Sequence, residues 1–278
     1  MNGRRIAGET MPKKSIILTG DWHCGGRTGL TMPQYQYRDG PGSAFGYYAL
    51  IQSAVWDWFS ADIDAIRERH GIDMLIINGD AIDGSGAKNG GGEMITTDRN
   101  IQVEMAENVA RFIDAKKCLV TAGTPYHTGQ EEDFESVLAS NLNADFGSHE
   151  FVNVNGLIID CKHKVGSSAI PHGRHTAIAR EALWNLLWNE KGVQPRADVI
   201  IRSHVHYHGY CGDSNTLRMT LPAMQLWTKY GGRQCSGTID LGFVHMIVDE
   251  HDGDNKPSYS WQAHLLDLKV FRQECIIA

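Results

Sequence analysis

Two side chains that can bind a metal ion follow the first apolar run of the sequence. Residues 16–20 (IILTG) lead directly to Asp21 and His23. Because these residues are two positions apart, in an extended backbone both side chains would point to the same side of the chain. A carboxylate and an imidazole on one face form half of a site for a borderline divalent ion such as zinc, manganese or iron. The pair alone does not predict a site, since a strand-end Asp that caps a turn beside a surface His is a more frequent arrangement.

Later apolar runs also end in side chains that can bind a metal or carry a proton. These side chains are Asp80 after residues 74–78, His127 after residues 117–122, His163 after residues 157–161, and His204 and His206 after residues 198–202. Such a recurrence is hard to attribute to chance. In open α/β sheets, ligands bind in the crevice at the carboxyl ends of the strands, so these runs predict one site built from several strand ends.

The elements that must position these residues alternate between buried strands and amphipathic helices. Short aliphatic runs bounded by glycine predict parallel strands, and apolar residues at helical spacing predict helices. The helices are predicted at about residues 47–70, 98–115, 131–142 and 172–190, and antiparallel strands at 217–226, 241–248 and 259–268. In the helix at 172–190, the spacing of Ile178, Leu183, Leu186 and Leu187 predicts one apolar face.

The composition is typical of one soluble globular domain. The chain has 278 residues, 42% of them hydrophobic, and a formal net charge of −7 with acids and bases interspersed, which gives no footprint for duplex nucleic acid or an anionic membrane. No apolar run reaches the roughly 20 residues that span a bilayer, and no signal peptide is recognisable. The six cysteines lack CxxC spacing, as expected for reduced thiols. We therefore expect a cytoplasmic protein with a flexible tail over residues 1–13 and one domain over residues 14–278.

Taken together, the motifs resemble those of the calcineurin-like metallophosphoesterases. The family order of Asp-x-His, Gly-Asp, Gly-Asn-His, a lone His and Gly-His-x-His is matched over nearly the whole chain by Asp21-x-His23, Gly79-Asp80, the Gly123 loop with His127, His163, and His204-x-His206. The resemblance implies an α/β fold, a four-layer αββα sandwich with two mixed β-sheets. It also implies a two-metal centre at the carboxyl ends of the strands.

The resemblance further implies a role for each residue. One ion would be held by Asp21, His23 and His206 and the other by His163 and His204, while Asp80 would bridge both. Two cations about 3.5–4 Å apart can neutralise phosphoryl oxygens and lower the pKa of a bridging water. Asp83 would orient a ligand histidine through its other ring nitrogen. We expect two divalent ions, and mixed Asp and His ligands do not distinguish manganese, iron, zinc, nickel and cobalt.

The sequence departs from the family pattern at two places. Ser203 replaces the glycine before His-x-His, which is a small change at a tight turn. In Gly123-Thr124-Pro125-Tyr126-His127, Thr124 occupies the position of the family's metal-binding Asn, and the histidine lies two positions further along the chain than in the family motif. We place Thr124 with Asp83 among the residues that contact the ligands. His127 is either the catalytic acid that protonates the leaving oxygen or a metal ligand, and the hypothesis favours the acid.

Two further segments are similar to uncharacterised phage and prophage phosphoesterases. They are residues 163–168 with a following Arg174, and residues 221–226. The likeness implies a phage or prophage origin, and hence the host cytoplasm, but names no substrate. A guanidinium after a Gly-Ser-Ser loop can bind phosphate in a bidentate manner, although an exposed arginine at a helix start is equally common.

The resulting hypothesis is a two-metal phosphoester hydrolase in which a metal-bridging hydroxide attacks phosphorus and His127 protonates the leaving alkoxide. A phosphodiester is the favoured substrate, either a nucleotide or a single-stranded nucleic acid, because the acidic net charge disfavours a long duplex. The alternatives are a phosphomonoesterase acting on nucleotides, nucleic-acid ends or phosphoproteins, an inactive binding or scaffold protein, and a single-zinc hydrolase. The sequence does not predict an oligomeric state.

Overall fold

The computed structural model describes residues 12–40, 42–87, 90–129, 133–168, 170–228, 237–250 and 256–271. Its strands are β1 (Lys14–Thr19), β2 (Met74–Ile77), β3 (Cys118–Thr121), β4 (Asp145–Gly147), β5 (Glu150–Val154), β6 (Leu157–Cys161), β7 (Val199–Arg202), β8 (Gly209–Gly212), β9 (Leu217–Thr220), β10 (Gly242–Val248) and β11 (Tyr259–Leu265). Its helices are α1 (Gly46–His70), α2 (Arg99–Ile113), α3 (Pro125–Thr128), α4 (Phe134–Leu142) and α5 (Arg174–Glu190).

The strands form two mixed sheets. The first has the order β11-β10-β1-β2-β3-β4, with β1 to β4 parallel and β10 and β11 antiparallel to their neighbours. The second has the order β5-β6-β7-β9-β8, in which β6, β7 and β9 are parallel and the edge strands β5 and β8 are antiparallel. The carboxyl ends of neighbouring parallel strands therefore lie along the same edge of each sheet.

The two sheets pack on each other through a shared apolar layer. Ile16 and Leu18 of β1 lie in one cluster with Ile159 of β6 and Met219 of β9. Ile17, between them in the sequence, points to the opposite face because side chains alternate along a strand. Both faces of β1 are consequently buried, which explains its continuous aliphatic sequence.

Helices cover the outer face of each sheet. On the first sheet, Ile17 packs in a cluster with Phe59 of α1, Val109 of α2 and Leu138 of α4. On the second sheet, Ile178 of α5 packs with Ile200 of β7. The order helix, sheet, sheet, helix confirms the predicted α/β fold with four αββα layers and two mixed sheets.

The predicted elements differ from the structure mainly at their ends. The helix expected at 172–190 begins at Arg174, after a 3-10 turn at Pro171–Gly173, and the strand expected at 217–226 ends at Thr220. The short strands β4 and β8 have no counterpart in the prediction, because three or four residues carry no measurable periodicity. Of the predicted tail, only residues 12 and 13 are among the described residues.

The predicted apolar face of α5 is partly wrong. Ile178 is buried, but Leu183 and Leu187 are 52% and 44% exposed. The helix carries apolar residues on both faces, so its sequence pattern does not identify the inner one. None of the helices among the described residues is long and apolar enough to cross a membrane.

Candidate metal centre

The structure brings the predicted metal ligands together at the carboxyl ends of the strands. Three groups of side chains each offer ligand atoms within 4.8 Å of one another: Asp21 with His23 and His206, His23 with Asp80 and His127, and Asp80 with His163 and His204. The groups overlap in His23 and Asp80, so they form one continuous cluster. Its members come from loops after β1, β2, β3, β6 and β7.

The backbone at this cluster is mostly left-handed. Five of the six predicted ligands, Asp21, His23, Asp80, His204 and His206, have φ angles between 47° and 74°. For a residue other than glycine this conformation costs roughly 1–2 kcal/mol, and such residues concentrate at functional sites. The extended backbone predicted for Asp21 and His23 is therefore wrong, although both side chains reach the same group of ligand atoms.

Two glycines allow loops to approach the ligands closely. A Cβ on Gly79, whose φ is +81°, would lie 2.4 Å from His163 Nδ1. A Cβ on Gly123 would lie 2.3 Å from both the backbone nitrogen and Oδ1 of Asp80. Each glycine thus leaves the space that a ligand side chain or its backbone fills. Ser203, by contrast, is accommodated by a 2.8 Å hydrogen bond that its Oγ accepts from Asn78 Nδ2.

The ring orientation of three histidines is set by hydrogen bonds from Nδ1. His23 Nδ1 lies 3.0 Å from Asp83 Oδ1, and His127 Nδ1 lies 2.8 Å from the Asp83 carbonyl oxygen. His163 Nδ1 donates to the carbonyl oxygen of Asn78 at 2.8 Å. With the proton on Nδ1, a neutral imidazole keeps a lone pair on Nε2 for a metal ion.

The free ends of these ligands face one another. His23 Nε2 and His206 Nε2 are 3.2 Å apart, and His206 Nε2 is 3.5 Å from Asp21 Oδ1. Asp21 Oδ1 is buried and has no hydrogen-bond partner among the described residues. Buried lone pairs that converge without a donor between them are stabilised by a cation, so the donor set fits a divalent metal ion.

Asp80 and Thr124 link the two ends of the cluster. Asp80 Oδ1 accepts a 2.6 Å hydrogen bond from the Thr124 backbone, and Asp80 Oδ2 lies 3.1 Å from His163 Nε2. The Thr124 hydroxyl is within 3.2 Å of Asp80 Oδ2 and His204 Nδ1, and 3.4 Å from His163 Nε2. The residue at the position of the family's asparagine therefore contacts three proposed ligands.

His127 returns to the cluster through a single helical turn. Pro125 begins α3, which ends at Thr128, and this turn places His127 Nδ1 3.2 Å from Asp83 Oδ1. The rings of His127 and His23 meet edge to face, with centroids 4.6 Å apart. This geometry fits both roles predicted for His127, since it belongs to one ligand group and also contacts a carboxylate that can hold its proton.

Arg174, predicted to bind substrate phosphate, lies at the start of α5 outside the cluster. Its guanidinium stacks 4.3 Å from the ring centre of Tyr207, and its Nη1 donates a 3.1 Å hydrogen bond to Thr238 Oγ1. Its Nε is buried without a hydrogen-bond partner among the described residues. Tyr207 directly follows His206, so Arg174 contacts a ligand-bearing loop rather than a ligand. Phosphate binding by Arg174 stays a prediction.

Glu135 is a residue of the site that sequence reasoning missed. It is fully buried in α4 and accepts hydrogen bonds from the Ala81 and Gly123 backbone nitrogens at 2.7 and 2.5 Å. These bonds join the loop that carries Asp80 to the loop that carries Thr124. Burial and the neighbouring charge of Asp80 raise the pKa of Glu135 to about 8. The sequence gives no signal for this role, because acidic residues are common in the first turn of any helix.

Replacing Glu135 with alanine should therefore loosen both loops. Two buried backbone amides would lose their acceptor, and we expect the free energy of unfolding to fall by about 1–3 kcal/mol for each. Urea unfolding measures this loss. The matched control is Glu68→Ala, which removes an exposed glutamate from α1. Equal stability of the two variants would contradict the bracing role of Glu135.

The site also perturbs the pKa values of its histidines. Burial opposes protonation of His127, but the hydrogen bond to Asp83 and the charge of Asp80 raise its pKa to about 9. Burial likewise opposes protonation of His163, yet the charge of Asp80 raises its pKa to about 10. Burial lowers the pKa of His23, and burial with the charge of His163 lowers that of His204. Burial disfavours ionisation of Asp80, but His163 lowers the pKa of that carboxyl well below its ordinary range.

These shifts predict a pH dependence for the metal-free protein. Because the folded-state pKa values of His127 and His163 lie above the ordinary value of about 6.5, their stabilisation is complete below that pH and is lost as the pH rises through about 9 and 10. Since one pKa unit corresponds to about 1.4 kcal/mol, we expect the free energy of unfolding to decrease over this range by on the order of several kcal/mol. Urea unfolding of chelator-treated protein at several pH values measures it. The His127→Gln/His163→Gln double variant should show a flatter profile, and a wild-type stability that rises over this range would contradict the prediction.

Comparison with known proteins finds similar structures but no similar protein family or curated sequence. No protein-family model matches the chain, and no curated protein is significantly similar to it. An archaeal phosphodiesterase is similar in structure with 12% identity and a TM-score of 0.44, over 91% of this chain and 99% of that one. Vps29 complexed with zinc from Entamoeba histolytica has 13% identity and a TM-score of 0.42, over 90% and 98% of the chains. A 5′-nucleotidase precursor from Thermus thermophilus has 10% identity and a TM-score of 0.42, over 93% of this chain and 55% of that one.

Proposed function

We propose that this chain is a phosphoester hydrolase that uses two divalent metal ions. The observation that carries the proposal is the overlap of three ligand groups in His23 and Asp80. A single ion needs one such group, whereas a cluster that continues through a shared carboxylate suits a pair of ions. Asp21 Oδ1, which is buried without a hydrogen-bond partner among the described residues, supports the presence of a metal ion, because a bound cation would contact this oxygen.

The ligands divide naturally into two sets. Asp21, His23 and His206 would hold one ion, His163 and His204 would hold the other, and Asp80 would bridge them. When bound, such ions polarise a phosphoryl oxygen and lower the pKa of water. The chain itself orients the ligands, since Asp83 and the Asn78 carbonyl fix the histidine rings and Glu135 fixes the loops.

His127 is the residue proposed to move a proton. In the metal-free chain the hydrogen bond to Asp83 outweighs burial and raises the pKa of His127 to about 9, and the Asp83 carbonyl oxygen holds Nδ1. A cationic imidazole beside the ligand cluster can donate its Nε2 proton to the oxygen that leaves phosphorus. Asp83 would then stabilise the charged form and hold the ring in place.

A phosphodiester is the proposed substrate, in the form of a nucleotide or a single strand of nucleic acid. Among the described residues, no Lys or Arg side chain hydrogen-bonds to a proposed ligand or to His127. A monoester dianion carries more charge on its nonbridging oxygens than a diester monoanion, so its recognition gains more from an arginine beside the metals. This difference in charge supports the choice of a diester over a monoester.

The test compares two model substrates under one set of conditions. Metal-stripped protein is assayed on bis(p-nitrophenyl) phosphate and on p-nitrophenyl phosphate, with each divalent metal added back in turn. We expect metal to restore diester hydrolysis, with kcat/KM at least about tenfold above that for the monoester, or about 1.4 kcal/mol in the barrier. A monoester preference of that size would reject the diesterase proposal. Failure to bind any of the metals, measured by titration calorimetry, would instead indicate an inactive scaffold.

A further inference from the structure

The outward face of α5 carries a stripe of large apolar side chains. Leu183, Trp184, Leu187 and Trp188 are 52%, 51%, 44% and 43% exposed. They occupy positions i, i+1, i+4 and i+5, so they share one face of the helix. The opposite face packs on the second sheet through Ala177 and Ile178.

This stripe is unusual for the surface of a monomer. Exposed apolar residues are normal when scattered, but a continuous patch that includes two tryptophans is typical of a protein interface. The helix forms the outermost layer on its side of the sandwich. Among the described residues, Lys191 Nζ lies 5.3 Å from the centre of the Trp188 ring, and all four side chains of the stripe stay 43–52% exposed.

The charges at the ends of the stripe indicate what covers it. Arg180, Leu183, Leu187 and Glu190 follow the 3-4-3 spacing of the seam between two packed helices. In an antiparallel pair of α5 helices centred near residue 185, Leu183 lies opposite Leu187 of the second copy, and Arg180 lies opposite Glu190. A parallel pair would instead place like charges together. Among the described residues, neither Arg180 nor Glu190 has an ion-pair partner within its own chain.

We propose that the outward face of α5 is the interface of a homodimer with two-fold symmetry. An isologous contact requires a self-complementary surface, and an antiparallel helix pair with apolar centre and opposite end charges meets this requirement. Trp184 and Trp188 flank the leucine seam and supply the large contact areas that dominate binding energy at interfaces. The proposal is independent of the metal centre, because none of these residues contacts a proposed ligand.

The first test is the mass of the full chain in solution. Light scattering and sedimentation equilibrium should give a dimer mass for the wild type, and Leu183→Glu/Leu187→Glu should give a single-chain mass. The matched control is Leu50→Glu, which changes a leucine that is 56% exposed on α1 and should remain dimeric. A wild type that has the mass of one chain at all concentrations, or a control that dissociates equally, would overturn the proposal.

A charge exchange tests the antiparallel register without changing the apolar seam. Arg180→Glu and Glu190→Arg should each weaken dimerisation by about tenfold in Kd, since each places like charges in contact. The double variant R180E/E190R should restore the wild-type Kd. Both positions are exposed, so circular dichroism should show an unchanged fold in each variant. Failure of the double variant to recover would reject this register, and with it the proposed interface.

Discussion

Asp80→Asn is expected to lower kcat/KM for metal-dependent hydrolysis by at least about a thousandfold, or about 4 kcal/mol in the barrier. The carboxylate lies in two ligand groups, and its removal takes away the negative charge that would hold two cations close together. Asparagine has nearly the same size and keeps an oxygen that can accept the hydrogen bond from the Thr124 backbone. Steady-state kinetics and elemental analysis of bound metal should therefore show loss of both activity and metal in a folded protein.

The matched control for Asp80 lies at the other end of the same strand. Asp73 precedes β2 and binds Lys14, Lys116 and the Ser15 backbone, remote from the ligand cluster. Asp73→Asn should change stability slightly and leave bound metal and kcat/KM unchanged. If Asp80→Asn retained two metal ions per chain and near-normal turnover, the two-metal proposal would be wrong. Full activity of the wild type with one ion per chain would support a single-metal hydrolase.

His127→Ala is expected to reduce kcat by about 10²–10⁴, the usual contribution of a general acid. The size of the loss should depend on the leaving group. Nitrophenolate leaves without much protonation, whereas the alkoxide that leaves from a dinucleotide needs a proton. The kcat for bis(p-nitrophenyl) phosphate should therefore fall less than the kcat for a dinucleotide. Bound metal should stay unchanged, because in this role the imidazole acts on substrate rather than on an ion.

The same variant separates the two roles of His127. If the imidazole is a metal ligand, the bound metal and the kcat values for both substrates should fall together. His208→Ala is the control, since His208 lies near the ligands in sequence but its Nδ1 hydrogen-bonds to the Thr220 carbonyl oxygen instead. Equal loss for both leaving groups with full metal content would contradict the acid role and leave His127 as a residue that only positions others.

The sequence predicts which side chains come together where they follow the ends of parallel strands. Aliphatic runs identify the parallel strands, and the side chains after them meet because the carboxyl ends of β1 and β2, and of β6 and β7, are neighbours. These side chains meet even though the predicted backbone conformation of Asp21 is wrong. Tertiary contacts, such as the hydrogen bond that its backbone nitrogen donates to the Gly79 carbonyl oxygen, accompany its left-handed conformation.

Other features depend on contacts that no local pattern encodes. The displaced histidine of the Gly123 loop reaches Asp83 only because Pro125 begins a helical turn. Glu135 joins two loops through backbone amides that lie 54 and 12 residues before it in the sequence. The apolar face predicted for α5 includes Leu183 and Leu187, which point outward, because apolar periodicity indicates a face without saying what covers it.

The division of the proposed ligands between the two sheets has a consequence for the life of the protein in a cell. Asp21, His23 and Asp80 follow strands of the first sheet, whereas His163, His204 and His206 follow strands of the second. Ions held by both sets would cross-link the halves of the sandwich, and a ligand at a thousand times its Kd adds about 4 kcal/mol to the stability of the folded state. Scarcity of metal would then do more than abolish the proposed activity. It would raise the fraction of open molecules that proteases degrade, so the amount of the protein would follow the metal supply.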